Sequence, residues 1–237
     1  MTSHIKNPKD HIILALDVES IDEVKRAVVE LGEYVGHFKI GLQLAMKLGV
    51  PQVIEELSKL DGSIFLDCKF NDIPNTIEKA VEAVSDKVAM FTVHASSGSE
   101  GLQAAVRAKR ESLLLAVTVL TSLTNEDSEV LFNEKVSEKV ITFASLSQEA
   151  GANGIVCSSH ELALLHGHQN LKKLIKVVPG IRPDWAKSDD QSRTSTPKQA
   201  LFDGANFLVI GRPIMQPPSN IGSRKKAAEL ILEEIAC

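Results

Sequence analysis

Eight short apolar runs recur along the sequence, and their spacing constrains the fold more than any other feature. They are His11–Val18, His37–Gly41, Ser63–Phe70, Lys87–Ala95, Leu113–Leu120, Gly154–Ser159, Lys176–Arg182 and Phe207–Ile214. Most begin roughly 22 to 31 residues after the one before, with one interval of about 41. A strand, a helix and two loops fill such a length. Eight of these units in 237 residues predict an α/β chain forming one (β/α)8 TIM barrel domain over residues 1–237. A doubly wound open sheet is the runner-up, because periodicity says nothing about closure. Aromatic residues supply only 4% of the chain. The core must therefore come from Val, Ile, Leu and Ala, which suits parallel strands covered by helices.

The segments between the runs carry helix signals. Ser20-Ile-Asp-Glu23 and Ser158-Ser-His-Glu161 both have capping-box spacing. Thr196-Pro197 places a cap before a first-turn proline, and Gly204 is a plausible stop. Lys225 to Ile235 reads as a closing amphipathic helix. Two connections break the pattern. Thr121 to Ser137 is long and polar, and Arg182 to Arg193 is long, charged and without an apolar stripe. Each reads either as a functional lid or as a plain surface loop.

Charge and cysteine usage narrow the function classes. With 26 basic and 31 acidic residues, the net charge of −5 argues against a dedicated nucleic-acid binder. No apolar run approaches the ~20 residues that span a bilayer. The polar stretch Met1 to Asp10 lacks the apolar centre of a secretory signal. Cys68, Cys157 and Cys237 form no CxxC pair and are odd in number, which fits a reducing cytoplasm.

The chemistry gathers at the ends of the first strands. Residues i and i+2 share a strand face, so Asp67 and Lys69 point together while Leu66, Cys68 and Phe70 point the other way. If the inward phase holds, Asp17, Lys39, Asp67 and Lys69 meet at the carboxyl-end rim, where barrel enzymes place their sites. Buried charges are costly unless paired, and these four alternate in sign. A salt-bridge plug stiffening the barrel is the bland alternative. Asp72-Ile-Pro-Asn-Thr76 follows at once and, taken alone, is a turn into the next helix. The last two strands end in Val178-Pro-Gly-Ile-Arg182 and Val209-Ile-Gly-Arg-Pro213. Barrels often bind phosphate there. Gly211 would let a ligand approach the backbone, and Arg212 offers a fork of donors. His94 ends the fourth run and could face the site, but a satisfied core histidine is the weightier reading. His166-Gly-His168 reads as an exposed helix end, not a metal site.

Asp67-Cys-Lys-Phe-Asn-Asp-Ile-Pro-Asn-Thr76 resembles the signature of the orotidine 5′-phosphate decarboxylase family. The resemblance extends through Leu14–Asp17, Phe38–Gly41, Thr92–Ala95, Leu120–Ser122, Pro179–Arg182, Asp190–Arg193 and Gly211–Pro213. It implies a homodimeric barrel that converts orotidine 5′-monophosphate to uridine 5′-monophosphate and carbon dioxide without metal or organic cofactor. It further implies that Lys69 protonates the vacated ring carbon and that Asp67 lies beside the leaving carboxylate. Asp72, with Ile73 and Thr76, would enter the partner subunit's site. Asp17 and Lys39 would take ribose-side and network positions, and Thr121 would contact ligand after the fifth strand. Gln191, Gly211 and Arg212 would grip the phosphate. Pro179 and Gly180 would precede a lid that Arg182 begins. Cys68 and Asn71 depart from the commonest wording, at positions assigned no chemistry. The rival readings are the magnesium-dependent 3-keto-gulonate 6-phosphate decarboxylases and hexulose-phosphate synthases, and a non-catalytic phosphate-binding barrel.

Overall fold

In a computed structural model, which describes residues 5–60, 62–186 and 194–236, the eight runs form eight parallel strands. They are β1 (Ile12–Ala15), β2 (His37–Gly41), β3 (Ile64–Phe70), β4 (Met90–His94), β5 (Leu113–Val117), β6 (Gly154–Val156), β7 (Ile175–Val178) and β8 (Phe207–Ile210). Each pairs with the next, and β8 returns to β1, so the sheet closes. Closure excludes the open-sheet alternative. No described helix is long and apolar enough to cross a membrane.

The helices are α1 (Ile21–Leu31), α2 (Leu42–Leu48), α3 (Val50–Ser58), α4 (Pro74–Glu82), α5 (Gly98–Ala108), α6 (Asn125–Phe132), α7 (Val136–Ala150), α8 (Leu162–Gly167), α9 (Pro197–Phe202), α10 (Arg212–Met215) and α11 (Arg224–Ala236). The sequence signals locate several ends correctly. The Ser20 hydroxyl accepts from the Glu23 amide, and the Thr196 hydroxyl accepts from the Gln199 amide. Glu23 reaches back to the Glu19 amide, one residue before the cap.

Two connections differ from expectation. The interval between β2 and β3 holds two helices, because Gly49 turns the chain at φ +82° and Pro51 then opens α3. The stretch Thr121 to Ser137 is not an unstructured loop. It contains α6, which Thr124 caps by accepting from the Asp127 amide at 3.1 Å. The expected apolar stripe is missing because Val130 and Leu131 face outward, 86% and 61% exposed.

Alternation along the strands divides the core in two. Ile13, Ala15, Phe65, Met90, Leu115, Val177, Phe207 and Val209 fill the barrel interior. Ile12, Leu14, Leu16, Phe38, Ile40, Ile64 and Leu66 pack outward against the helices. This phase decides what the rim presents. The inward series through Ile13 and Ala15 continues to Asp17, and that through Phe65 continues to Asp67. On β2, outward Phe38 and Ile40 leave Lys39 and Gly41 facing in.

Candidate active site

A cavity of about 250 Å³ opens at the carboxyl ends of the strands. Nine of the residues singled out in the sequence line it: Asp17, Lys39, Asp67, Lys69, Thr121, Pro179, Arg182, Gly211 and Arg212. Gly180 also lines it. Gln191, together with Asp190 and Arg193, lies outside the described residues.

The charges form a line of alternating sign. Lys69 Nζ donates to Asp67 Oδ1 at 2.9 Å. Lys39 Nζ stands 3.6 Å from Asp67 Oδ2 and 3.9 Å from Asp17 Oδ1. Burial alone pushes the Asp67 pKa up, but Lys39 and then Lys69 outweigh it, with hydrogen bonds from Lys69 and Thr92. The net result lies below the usual carboxylate range, so Asp67 is an anion at neutral pH. Burial pushes the His94 imidazole down, and nearby Lys69 adds to this against Asp67. His94 is half-buried within the field of the charge line. Burial, followed by Asp67, raises the Cys68 thiol to about 11, so it stays protonated.

Two glycines make room. A Cβ on Gly41 would come within 2.9 Å of Lys39 Nζ, so a side chain there would displace the ammonium from between the two carboxylates. A Cβ on Gly211 would meet Ala15 Cβ at 3.2 Å. Its backbone is left open to the cavity beside Arg212.

β3 is irregular where it matters. Its register with β4 runs Phe65↔Met90 and Leu66↔Phe91, then resumes only at Phe70↔Val93. Lys69 sits at φ +50° inside this bulge. A left-handed backbone is uncommon for a lysine, and such strain concentrates at functional sites. The regular alternation read from the sequence therefore puts Asp67 correctly inward but reaches Lys69 by a different backbone path.

Asp72, Ile73 and Thr76 do not line their own chain's cavity. All three are exposed, Ile73 to 66%. Asp72 Oδ1 accepts from the Ile73 amide at 2.7 Å. Thr76 provides no cap: the N-cap is Ile73, without a side-chain bond, and Pro74 opens α4.

The family model for the orotidine 5′-phosphate decarboxylase / HUMPS family matches residues 10–227. The chain belongs to this family. It is 43% identical over 240 residues to the orotidine 5′-phosphate decarboxylase of Heliobacterium modesticaldum, with 96% of each chain covered. It is 39% identical to that of Syntrophomonas wolfei, over 92% of this chain and 96% of the other. Among solved structures, the orotidine 5′-phosphate decarboxylase from Lactobacillus acidophilus superposes with a TM-score of 0.80 at 31% identity. That match covers 95% of this chain and 99% of that one.

For this family member, sequence reasoning had missed Gly41 and Thr92. Thr92 is fully buried on β4 and bonds to both Asp67 and Lys69. The available signal was its place in Thr92-Val-His-Ala95, one inward step before His94.

Proposed function

We propose that this chain decarboxylates orotidine 5′-monophosphate to uridine 5′-monophosphate and carbon dioxide, the last step of de novo pyrimidine synthesis. It would do so as a cytoplasmic homodimer with no metal and no organic cofactor, and with neither nucleic acid nor membrane as a partner. The observation that carries this reading is the Asp17–Lys39–Asp67–Lys69 line in a cavity that also holds Arg212.

Arg212, Gly211 and Gln191 grip the phosphate. Thr121, Pro179 and Arg182 border the rest of the ligand, and Asp17 and Lys39 meet its ribose side. The reacting carbon lies against Lys69. When its bond to the carboxylate breaks, the electron pair stays on a ring carbon with no good resonance sink. The Lys69 ammonium stabilises that charge and then delivers its proton there. The resulting amine regains a proton from solvent. Asp67 holds Lys69 in place and lies beside the departing carboxylate. Two such anions ~4 Å apart repel by on the order of 4 kcal/mol at an effective dielectric of 20. That repulsion vanishes as neutral carbon dioxide leaves.

Exposed apolar side chains support the dimer. Leu42 and Met46 on α2, Ile73 before α4, Leu120, and Val130 and Leu131 on α6 are all exposed. All lie on segments leaving the carboxyl ends of β2, β3 and β5. A second copy docking over these segments would cover such side chains and carry Asp72, Ile73 and Thr76 into its partner's site. The free thiols Cys68 and Cys157 agree with a reducing compartment.

The charge line also favours this reading over the magnesium-dependent rivals. Lys39 Nζ, 3.9 Å from Asp17 and 3.6 Å from Asp67, already supplies the positive charge between these two carboxylates. Turnover of orotidine 5′-monophosphate is expected to be unchanged by excess chelator. Loss of turnover on chelation, restored by magnesium, would move the chain to the rival group.

Phosphate binding has its own test. Arg212→Ala is expected to lower kcat/KM for orotidine 5′-monophosphate by about 100-fold, the loss of charge-assisted hydrogen bonds to phosphate. The same variant should act on the phosphate-free nucleoside like wild type. An equal loss on both substrates would remove Arg212 from the phosphate site.

A further inference from the structure

We infer that Thr92 is a positioning residue, whose single hydroxyl fixes both the backbone of Lys69 and the carboxylate of Asp67 in their working geometry. This rests on the proposed role of Lys69.

Between the paired positions Leu66↔Phe91 and Phe70↔Val93, β3 advances four residues while β4 advances two. A parallel ladder cannot serve every amide across such a mismatch. The Lys69 amide lies within it, in a left-handed conformation at φ +50°. It donates instead to Thr92 Oγ1, at 2.9 Å. A side-chain hydroxyl thus replaces the missing strand partner.

The same oxygen then donates its own proton to Asp67 Oδ1, at 3.1 Å. Asp67 Oδ1 is the atom that also accepts from Lys69 Nζ. A closed ring results, in which Lys69 amide, Thr92 hydroxyl, Asp67 carboxylate and Lys69 ammonium hold one another. Thr92 is 0% exposed, so water cannot stand in for its hydroxyl. Its outward neighbours Phe91 and Val93 pack against the helices, which fixes the strand that carries it. The ring explains how a strained lysine backbone stays put: Thr92 ties it to the anion its side chain must face. A small displacement of a reacting group is costly to the chemical step.

The test replaces Thr92 by Val, which keeps the shape and removes the hydroxyl, by Ala, and by Ser, which keeps the hydroxyl. Each variant is assayed on orotidine 5′-monophosphate, melted, and titrated with uridine 5′-monophosphate. Lys69→Ala is run beside them. Thr92→Val and Thr92→Ala are expected to lower kcat about 10- to 100-fold, with KM and product affinity within about threefold of wild type. Thr92→Ser should restore kcat to within about threefold. The inference is overturned if kcat survives loss of the hydroxyl, if the loss appears in KM, or if Ser fails to rescue. If the Val variant does not fold, the Ala variant decides. Failure of both to fold makes the role structural and also overturns it. An active Lys69→Ala enzyme would instead sink the proposed function itself. An inactive Lys69→Ala beside a fully active Thr92→Val sinks only the inference.

Discussion

Lys69→Ala is expected to lower kcat on orotidine 5′-monophosphate by on the order of 10⁵-fold, while binding of uridine 5′-monophosphate stays measurable. Two effects combine in that loss. In the proposed mechanism the ammonium supplies the proton, and positioned general acids contribute roughly 10² to 10⁴. In the same mechanism it would also stabilise the carbanion as it forms, and a preorganised electrostatic donor contributes a further ~10² to 10³. The substitution should leave the fold intact. Asp67 keeps Lys39 at 3.6 Å and the Thr92 hydroxyl, so its charge is not stranded. The proposed phosphate end, with Gly211 and Arg212, is untouched. Stopped-flow or discontinuous assays for turnover, and calorimetry for product binding, read the two halves separately. Near-normal turnover would favour a salt-bridge plug over a catalytic line. Loss of binding together with turnover would mean that Lys69 chiefly holds ligand.

A mixture of two dead proteins should regain activity. Lys69→Ala removes the proposed proton donor, and Asp72→Ala removes the charge that each subunit is proposed to lend to its partner. In a mixed dimer, one site receives both defects and the other receives neither. Equal amounts and free exchange make half of the dimers mixed, so the recovered activity should approach about a quarter of wild type. The exposed Asp72, Ile73 and Thr76 motivate this expectation, since none lines its own cavity. Exchange is checked by a tag on one of the two chains. Demonstrated exchange without recovered activity would return Asp72 to the role of a helix-entry residue.

The legible part of the site follows from regular geometry. Strand phase carries Asp17, Lys39 and Asp67 to one rim because β1, β2 and the first half of β3 alternate without interruption. Gly211 is the next inward step beyond Phe207 and Val209, whereas Arg212, the first residue of α10, was legible only as part of the Gly-Arg-Pro that follows the last strand, where barrels often bind phosphate. Local sequence could not show the bulge. Asp67-Cys68-Lys69 looks like ordinary alternation, and no glycine or asparagine marks the left-handed position that Lys69 takes. Thr92 hid behind its own suitability, since a buried threonine on a strand is a good strand former first. The importance of Gly41 appears only once the long Lys39 side chain is seen folding over it. The α6 helix escaped because its cap uses Asp127 instead of Glu or Gln, and because its apolar residues face away from the core. The roles of Asp72, Ile73 and Thr76 could come only from resemblance, because the chemistry proposed for them needs a second chain.

The central claim is that this barrel removes carbon dioxide from orotidine 5′-monophosphate and returns a proton to the same carbon. The most direct measurement follows both products from the wild-type protein in chelator-treated buffer. Uridine 5′-monophosphate is quantified by chromatography, and carbon dioxide by capture from a carboxyl-labelled substrate. The account predicts the two in equal amounts, accumulating until the substrate is gone. Substrate returned unchanged, or carbon dioxide released without uridine 5′-monophosphate, would contradict it.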